Sequence, residues 1–219
     1  MFIGHYGAAL AAKRWAPRLS LGWLFVAVQL VDVLFSLLVL IGIEEIRIVP
    51  GFTASNAYEL VWMPYTHSLV GALGWSLVAG MGARWALGRE GLAAAVAIAV
   101  CVFSHWVLDL LVHTPDLPLA AGDGPKVGLG LWAYRDLTIA AELVSFGIGA
   151  AMWIQVTGGL RRARAATIGF IVALAGLAAV MPFLPPPSGP RDFAVQALAA
   201  YAALALAAAW IDRRRRAAG

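Results

Sequence analysis

The run Phe103-Ser104-His105-Trp106-Val107-Leu108-Asp109-Leu110-Leu111-Val112-His113-Thr114-Pro115-Asp116 sets ionisable groups inside an apolar segment long enough to cross a bilayer. At helical spacing His105, Asp109 and His113 fall on one face, each step drifting by about 40°. An Asp near the middle of a membrane helix costs roughly 2.5–3.5 kcal/mol on the insertion scale, so it needs a partner or a task. Imidazole and carboxylate on one stripe are donors that borderline metals such as zinc accept. The same pair can equally be a buried hydrogen bond and nothing more. What separates the two readings is whether other polar residues reach the same depth.

Composition fixes the class. Of 219 residues, 62% are apolar and 13% charged, and the mean hydropathy is +0.82. That is membrane-protein composition, and it predicts one integral membrane domain over residues 1–219. The single cysteine, Cys101, lies in an apolar run, which excludes a disulfide framework and speaks against a cysteine metal cluster. A pI near 9.6 raises the question of nucleic acid, but topology accounts for the basic residues first.

Apolar spans of about 20 residues occur at 19–43, 63–83, 91–113, 131–156, 165–184 and 193–211. With these spans, 12 of the 16 basic residues fall on one side, among them Lys13, Arg14, Arg18, Arg84, Arg161 and the Arg213–Arg216 run. Arg47, Lys126, Arg135 and Arg191 fall on the other. The positive-inside rule then places both termini in the cytoplasm. The fold expected is an all-α, polytopic membrane helix bundle with about six transmembrane helices and a short N-terminal helix. Residues 213–219 read as a basic cytoplasmic tail at anionic lipid, with no nucleic-acid partner. Residues 1–15 read as a half-embedded arm that dips back into the membrane or lies along its surface. Pro17 breaks the helix after that arm, and the basic order is the reverse of a secretory signal.

Counting residues from the cytoplasmic turns puts His5, Asp32, His67, His105, Asp109 and Glu142 at comparable depth, the last four roughly 20–30 Å from that edge. Structural pairing needs only two of them, so the convergence predicts a polar site in the outer half of the bilayer. Each residue has a plainer alternative. His5 can sit at an interface, His67 can cap the helix that follows Pro64, and Glu142 can serve as general base, orienter or partner of Arg135 or Lys126. Asp32 has no neutralising neighbour in its own helix. His113 and Asp116 lie near the outer interface, beside the expected ligands rather than among them.

Gly4-His5, Asp32, Thr66-His67-Ser68-Leu69 and Ser104-His105 with Asp109 and Thr114-Pro115 occur in an order that resembles the YdjM-type inner-membrane proteins, a family described as metal-dependent hydrolases. The resemblance runs from about residue 4 to residue 118. It implies a bacterial cytoplasmic (inner) membrane and a metal site of His5, Asp32, His67, His105 and Asp109. The chain departs from the family pattern at Val31-Asp32-Val33-Leu34 and Met63-Pro64-Tyr65, and so lacks one Asp and one His of it.

If this is an enzyme, the expected cofactor is a divalent metal, Zn²⁺ by preference, with Asp109 or Glu142 moving the proton. Depth makes a lipid-like or lipid-linked ester or phosphoester the substrate class and membrane lipids the surroundings. No Gly-x-Ser-x-Gly, Walker loop or His-Glu-x-x-His is present. A small proton- or metal-ion-coupled transporter and a non-catalytic scaffold remain open beside the hydrolase.

Overall fold

In the computed structural model, which describes residues 1–88, 91–158, 161 and 163–217, the chain is helical apart from two short antiparallel ribbons. Helix α1 (Ile3–Ala12) ends before Pro17, whose fixed φ and missing N–H cannot continue a helix. The chain turns back into α2 (Leu21–Val28), capped by the Ser20 side chain on the Gly22 amide. Of the two expectations for the N-terminal arm, the surface position is not what forms. Ile3, Tyr6, Ala9 and Leu10 are fully buried, and α1 packs along α6 (Arg135–Val156). The approach is backbone on backbone: a Cβ on Gly7 would meet the Ser145 carbonyl oxygen at 2.2 Å, and one on Gly149 would meet the Gly7 oxygen at 2.0 Å. Small residues at a helix crossing allow this closeness.

Among the described residues, four helices are long and apolar enough to cross a membrane. They are α5 (Leu92–Val112), α6, α7 (Arg164–Val180, continued by a 3-10 turn to Phe183) and α8 (Pro190–Ala217). The expected 19–43 span is not continuous. It is α2 and α3 (Leu30–Leu40), bent by 54° at Gln29, and as one broken span it makes a fifth. Helix α4 (Leu69–Leu87) begins later than the expected residue 63, because Ser68 caps it from outside, binding the Gly71 amide and the Pro64 carbonyl. Its glycines, Ser76 and Arg84 dilute its apolar character, and it is not among the four.

The ribbons lie at one end of the bundle: β1 (Glu45–Ile48) with β2 (Tyr58–Trp62), and β3 (Leu117–Pro118) with β4 (Lys126–Val127). Nothing in the hydropathy pattern announced them. An apolar cluster of Phe35, Ile46, Leu60, Met63, Val112 and Trp132 seals this hairpin end, while the larger core fills the space between α1, α2, α5, α6, α7 and α8. Polar side chains are trapped between the two.

At the opposite, basic end, the expected basic tail is in part helical and packed against the bundle. Helix α8 runs to Ala217, Arg215 is buried, and its guanidinium bonds Thr167 and Thr157 and lies 4.7 Å from the Trp153 ring centre. Arg216 donates to the carbonyls of Pro17, Arg18 and Leu19 and pairs with Asp212 at 2.8 Å. Lys13, fully buried, pairs with Asp212 at 3.0 Å and donates to Pro17 and Leu19. Desolvation pulls the Lys13 ammonium below its ordinary value and Asp212 pulls it back up. Carbonyls left open by the Pro17 turn are what draw these cations inward.

Candidate metal centre

Helix α5 presents His105 and Asp109 one turn apart on its buried face, with His113 at its C-terminal cap, where the helix stops ahead of Pro115. Asp32 comes from the first turn of α3, where the helix dipole favours an anion. His67 comes from the turn that precedes α4, and His5 from α1. The six converge. His105 Nε2 is 3.1 Å from Asp109 Oδ2 and 3.3 Å from Asp32 Oδ1. His67 Nε2 is 3.2 Å from Asp32 Oδ1 and 3.9 Å from Asp109 Oδ2. Ligands about 2.0–2.1 Å from a tetrahedral ion lie about 3.3 Å from one another, so three of these four distances match an edge of that tetrahedron and the fourth is loose, and Asp32, His67 and His105 form one grouping of ligand atoms. Buried His and Asp groups here can hold a metal ion.

The protonation pattern is set from behind. His105 Nδ1 donates to the Val28 carbonyl at 2.8 Å, an acceptor that the end of α2 leaves open. Thr66 gives its hydroxyl proton to Glu44 Oε2 at 2.6 Å, so the Thr66 oxygen 2.8 Å from His67 Nδ1 must accept from it. Glu44 is itself fixed by the Tyr65 and Thr66 amides. His113 Nδ1 donates to Asp116 Oδ1 at 2.8 Å, and Asp116 is steadied by the Thr114 hydroxyl. In all three rings Nδ1 carries a proton, and Nε2 faces the carboxylates, so that a metal ion or a second ring proton must lie between them. His105 Nε2 and both ring nitrogens of His5 have no hydrogen-bond partner among the described residues, although each is buried. A buried acceptor facing another acceptor is costly unless a cation or proton lies between them.

His5 adds a second grouping with His105 and Asp109. Its Nε2 is 3.1 Å from Asp109 Oδ1, and its ring stacks on His105 at 3.9 Å between centres. The Met1 α-amino group is 2.7 Å from the same Asp109 oxygen. His113 belongs inside this cluster more than the sequence implied, with Nε2 3.6 Å from Asp109 Oδ2 and its ring 4.1 Å from Trp132. Asp116 stays behind it. Of the roles foreseen for it, Glu142 shows that of an orienter: its two oxygens accept the backbone amides of Phe2 and Gly4, and it pairs with neither Arg135 nor Lys126 among the described residues. It anchors the first turn of α1, whose amides have no helical partners, and thereby sets the depth of His5.

Three contributors escaped the sequence. Glu44 and Thr66 lie in loops without periodicity, and Tyr201, which donates to Asp32 Oδ2 at 2.9 Å, sits in an alanine-rich run. The Thr66-His67 adjacency was the only available signal. Tyr201 occupies one Asp32 oxygen and leaves Oδ1 to the histidines. Asp32 is also the most open member, its side chain 18% exposed against 4% or less for His5, His67, His105, Asp109 and His113. It faces a cavity of about 660 Å³ that runs from Asp32, His67, Asp109 and His113 to a wall formed by α7, α8 and the Pro185–Pro187 turn.

Fold and site together define a helical protein with helices long and apolar enough to cross a membrane and a buried His/Asp cluster that could hold a metal ion. No protein-family model, curated protein or solved structure matches the chain.

Proposed function

We propose that the chain is a multi-pass protein of a bacterial inner membrane and a metal-dependent hydrolase of a lipid-like or lipid-linked ester or phosphoester, of the YdjM type. Taking α4 as a sixth span puts both termini and the basic end in the cytoplasm and the hairpin end outside. The observation that carries the reading is the set of His Nε2 lone pairs aimed at two carboxylates beside a mostly apolar cavity. Asp32, His67, His105 and Asp109 would hold the ion, with His5 next to them; the N/O donor set suits Zn²⁺. Such an ion would lower the pKa of a bound water toward about 7 and polarise the carbonyl or phosphoryl group whose carbon or phosphorus is attacked.

The protein's own groups do the rest. Tyr201 and the Thr66–Glu44 pair hold Asp32 and His67 in place. His113, backed by Asp116, has its Nε2 at the cavity wall to take the proton that the attacking water loses and return it to the leaving oxygen. Glu142 positions α1. The cluster of Phe35, Ile46, Met63 and Val112 keeps bulk water away from the hairpin side. A second reading, an ion or proton pathway, draws support from the broken α2–α3 span, because helices interrupted at a polar site are common in transporters. Elemental analysis of purified protein, followed by ester and phosphoester turnover with and without chelator, tests the proposal. One bound ion per chain and chelator-sensitive turnover are expected; metal-free protein of native stability would overturn it.

A further inference from the structure

The cavity has a third chemical feature, an arginine that nothing so far employs. Arg135 opens α6 at the hairpin end and lines the cavity. Its Nε donates to the Ala54 carbonyl at 2.8 Å, and its guanidinium lies 5.1 Å from the Phe183 ring centre. The side chain is therefore fixed in direction. Among the described residues, neither Nη group has a partner, and no carboxylate pairs with it. A preorganised guanidinium with two open donors is the group that recognises phosphate. Thr138 and Glu142 follow Arg135 on the same face of α6, and Glu142 holds the start of α1 beside Asp109. Those seven residues span about 10 Å along the helix axis. A charged group at Arg135 thus lies about two turns outward of the His/Asp cluster. Level with the cluster, where Tyr201 of α8 meets Asp32, and one turn past it, Leu177 and Ala178 of α7 and Ala200 and Leu204 of α8 form an apolar wall. These two helices bury the smallest shares of their spans, so the wall borders the region that lipid would occupy.

Resting on the hydrolase reading, we propose that the substrate is an acyl ester of a phosphate-bearing lipid: phosphate at Arg135, ester carbonyl at the His/Asp cluster, acyl chain along α7 and α8. The order along the cavity matches an outer-leaflet lipid, with the head group at the hairpin end and the chain deeper. Its size belongs to pockets of about 300–1,000 Å³ that enclose a drug-sized ligand, which suits one chain and a small head group. Hydrolysis breaks the acyl C–O bond; water supplies hydroxyl to the acyl carbon and a proton to the alcohol oxygen, releasing a fatty acid and a glycerol phosphate.

The test is titration of the full-length protein in detergent with lysophosphatidic acid, monoacylglycerol, glycerol phosphate and inorganic phosphate, followed by native mass spectrometry. Lysophosphatidic acid should bind at least about tenfold more tightly than each of the others, the advantage expected of charge-assisted bonds and a buried chain. Arg135→Gln should erase the advantage over monoacylglycerol, Arg135→Lys should restore part of it, and Ala200→Trp should block the chain, all at unchanged metal content. Equal binding of monoacylglycerol, tight binding of phosphate alone, or an indifferent Arg135→Gln variant would overturn the proposal. Selective binding that survives chelation, with no fatty acid released, would retain the lipid site and reject the ester step together with the hydrolase reading.

Discussion

Two polar clusters are buried in this bundle, and they are built on opposite principles. At the basic end, Lys13, Asp212 and Arg216 meet three open carbonyls and one another, so every charge has an opposite charge or an oxygen. At the hairpin end, two carboxylates face four imidazoles, three of which give their Nδ1 protons to acceptors behind them, and the Met1 amine and the Tyr201 hydroxyl supply donors to one oxygen of each. The first cluster is closed and the second is short of a cation. A saturated network rigidifies a fold; one that leaves buried lone pairs facing anions is shaped for something absent from the chain. Depth and polarity alone do not separate the two.

Removing a donor from the hairpin-end cluster gives the largest contrast. His105→Gln keeps a side chain able to reach Val28 yet deletes the Nε2 at the junction of both groupings. Bound metal should fall by more than the about 10–100-fold that outer partners cost, with helical circular dichroism retained. Wild-type metal content in this variant would reduce the His–Asp stripe to a satisfied polar pair.

Next in size is damage to the closed cluster. Asp212→Ala strands the buried Lys13 ammonium and should cost about 3–5 kcal/mol of stability, read as a lowered melting temperature. Metal content of the folded fraction should not change. Lys13→Met should be milder, because Asp212 retains Arg216 and the Leu21 amide. If Lys13→Met proved the more damaging of the two, the cluster would not be held together by that carboxylate.

A third variant acts behind the ligands. Thr66→Val removes the oxygen that accepts His67 Nδ1–H and leaves Glu44 bound to two amides. The ring then loses its tautomer lock, and metal affinity should fall about 10–100-fold. Thr66→Ser, which keeps the oxygen, should recover most of it; equal losses in both would point to packing instead.

What was legible in the sequence follows from periodicity. His105 and Asp109 declare a face because α5 is regular, and counting residues along spans places His5, Asp32 and His67 at one depth because a helix rises by a fixed amount per residue. The bend at Gln29 was illegible: no proline or glycine marks Ala27-Val28-Gln29-Leu30, and its stabilising bond, from His105 to Val28, is tertiary. Glu44 and Tyr201 were hidden for the same reason, since a loop carboxylate and a tyrosine in an alanine run gain meaning only from what faces them. Glu142 was placed at the right depth, but its role could not be chosen, because a ruler along the axis says nothing of backbone amides arriving from another helix. Arg213–Arg216 shows the converse: a run of identical charges reads as a tail at anionic lipid, whereas Arg216 bonds the carbonyls of the Pro17 turn and Arg215 is buried against Thr157, Thr167 and Trp153.

The smallest effect is the sharpest test of the difference between the two clusters, because its sign reverses with conditions. Asp32→Asn keeps the shape of the side chain, removes a buried negative charge and introduces an amide N–H where Oδ1 stands 3.2 Å from His67 Nε2 and 3.3 Å from His105 Nε2. In chelated protein those lone pairs face an acceptor; an asparagine would give one of them a donor, and its carbonyl oxygen would still accept from Tyr201. One new buried hydrogen bond contributes about 1 kcal/mol, which for a chain of this size raises the melting temperature by roughly 2–4 °C. With metal present the same change deletes an anionic ligand, so the variant should melt below wild type. Asp212→Asn offers no such reversal: its carboxylate already accepts from Lys13, Leu21 and Arg216, and the loss should be the same with or without chelator. An Asp32→Asn variant destabilised equally in both conditions would mean that Asp32 is held as Asp212 is, by partners already in the chain, and that the hairpin-end cluster lacks nothing.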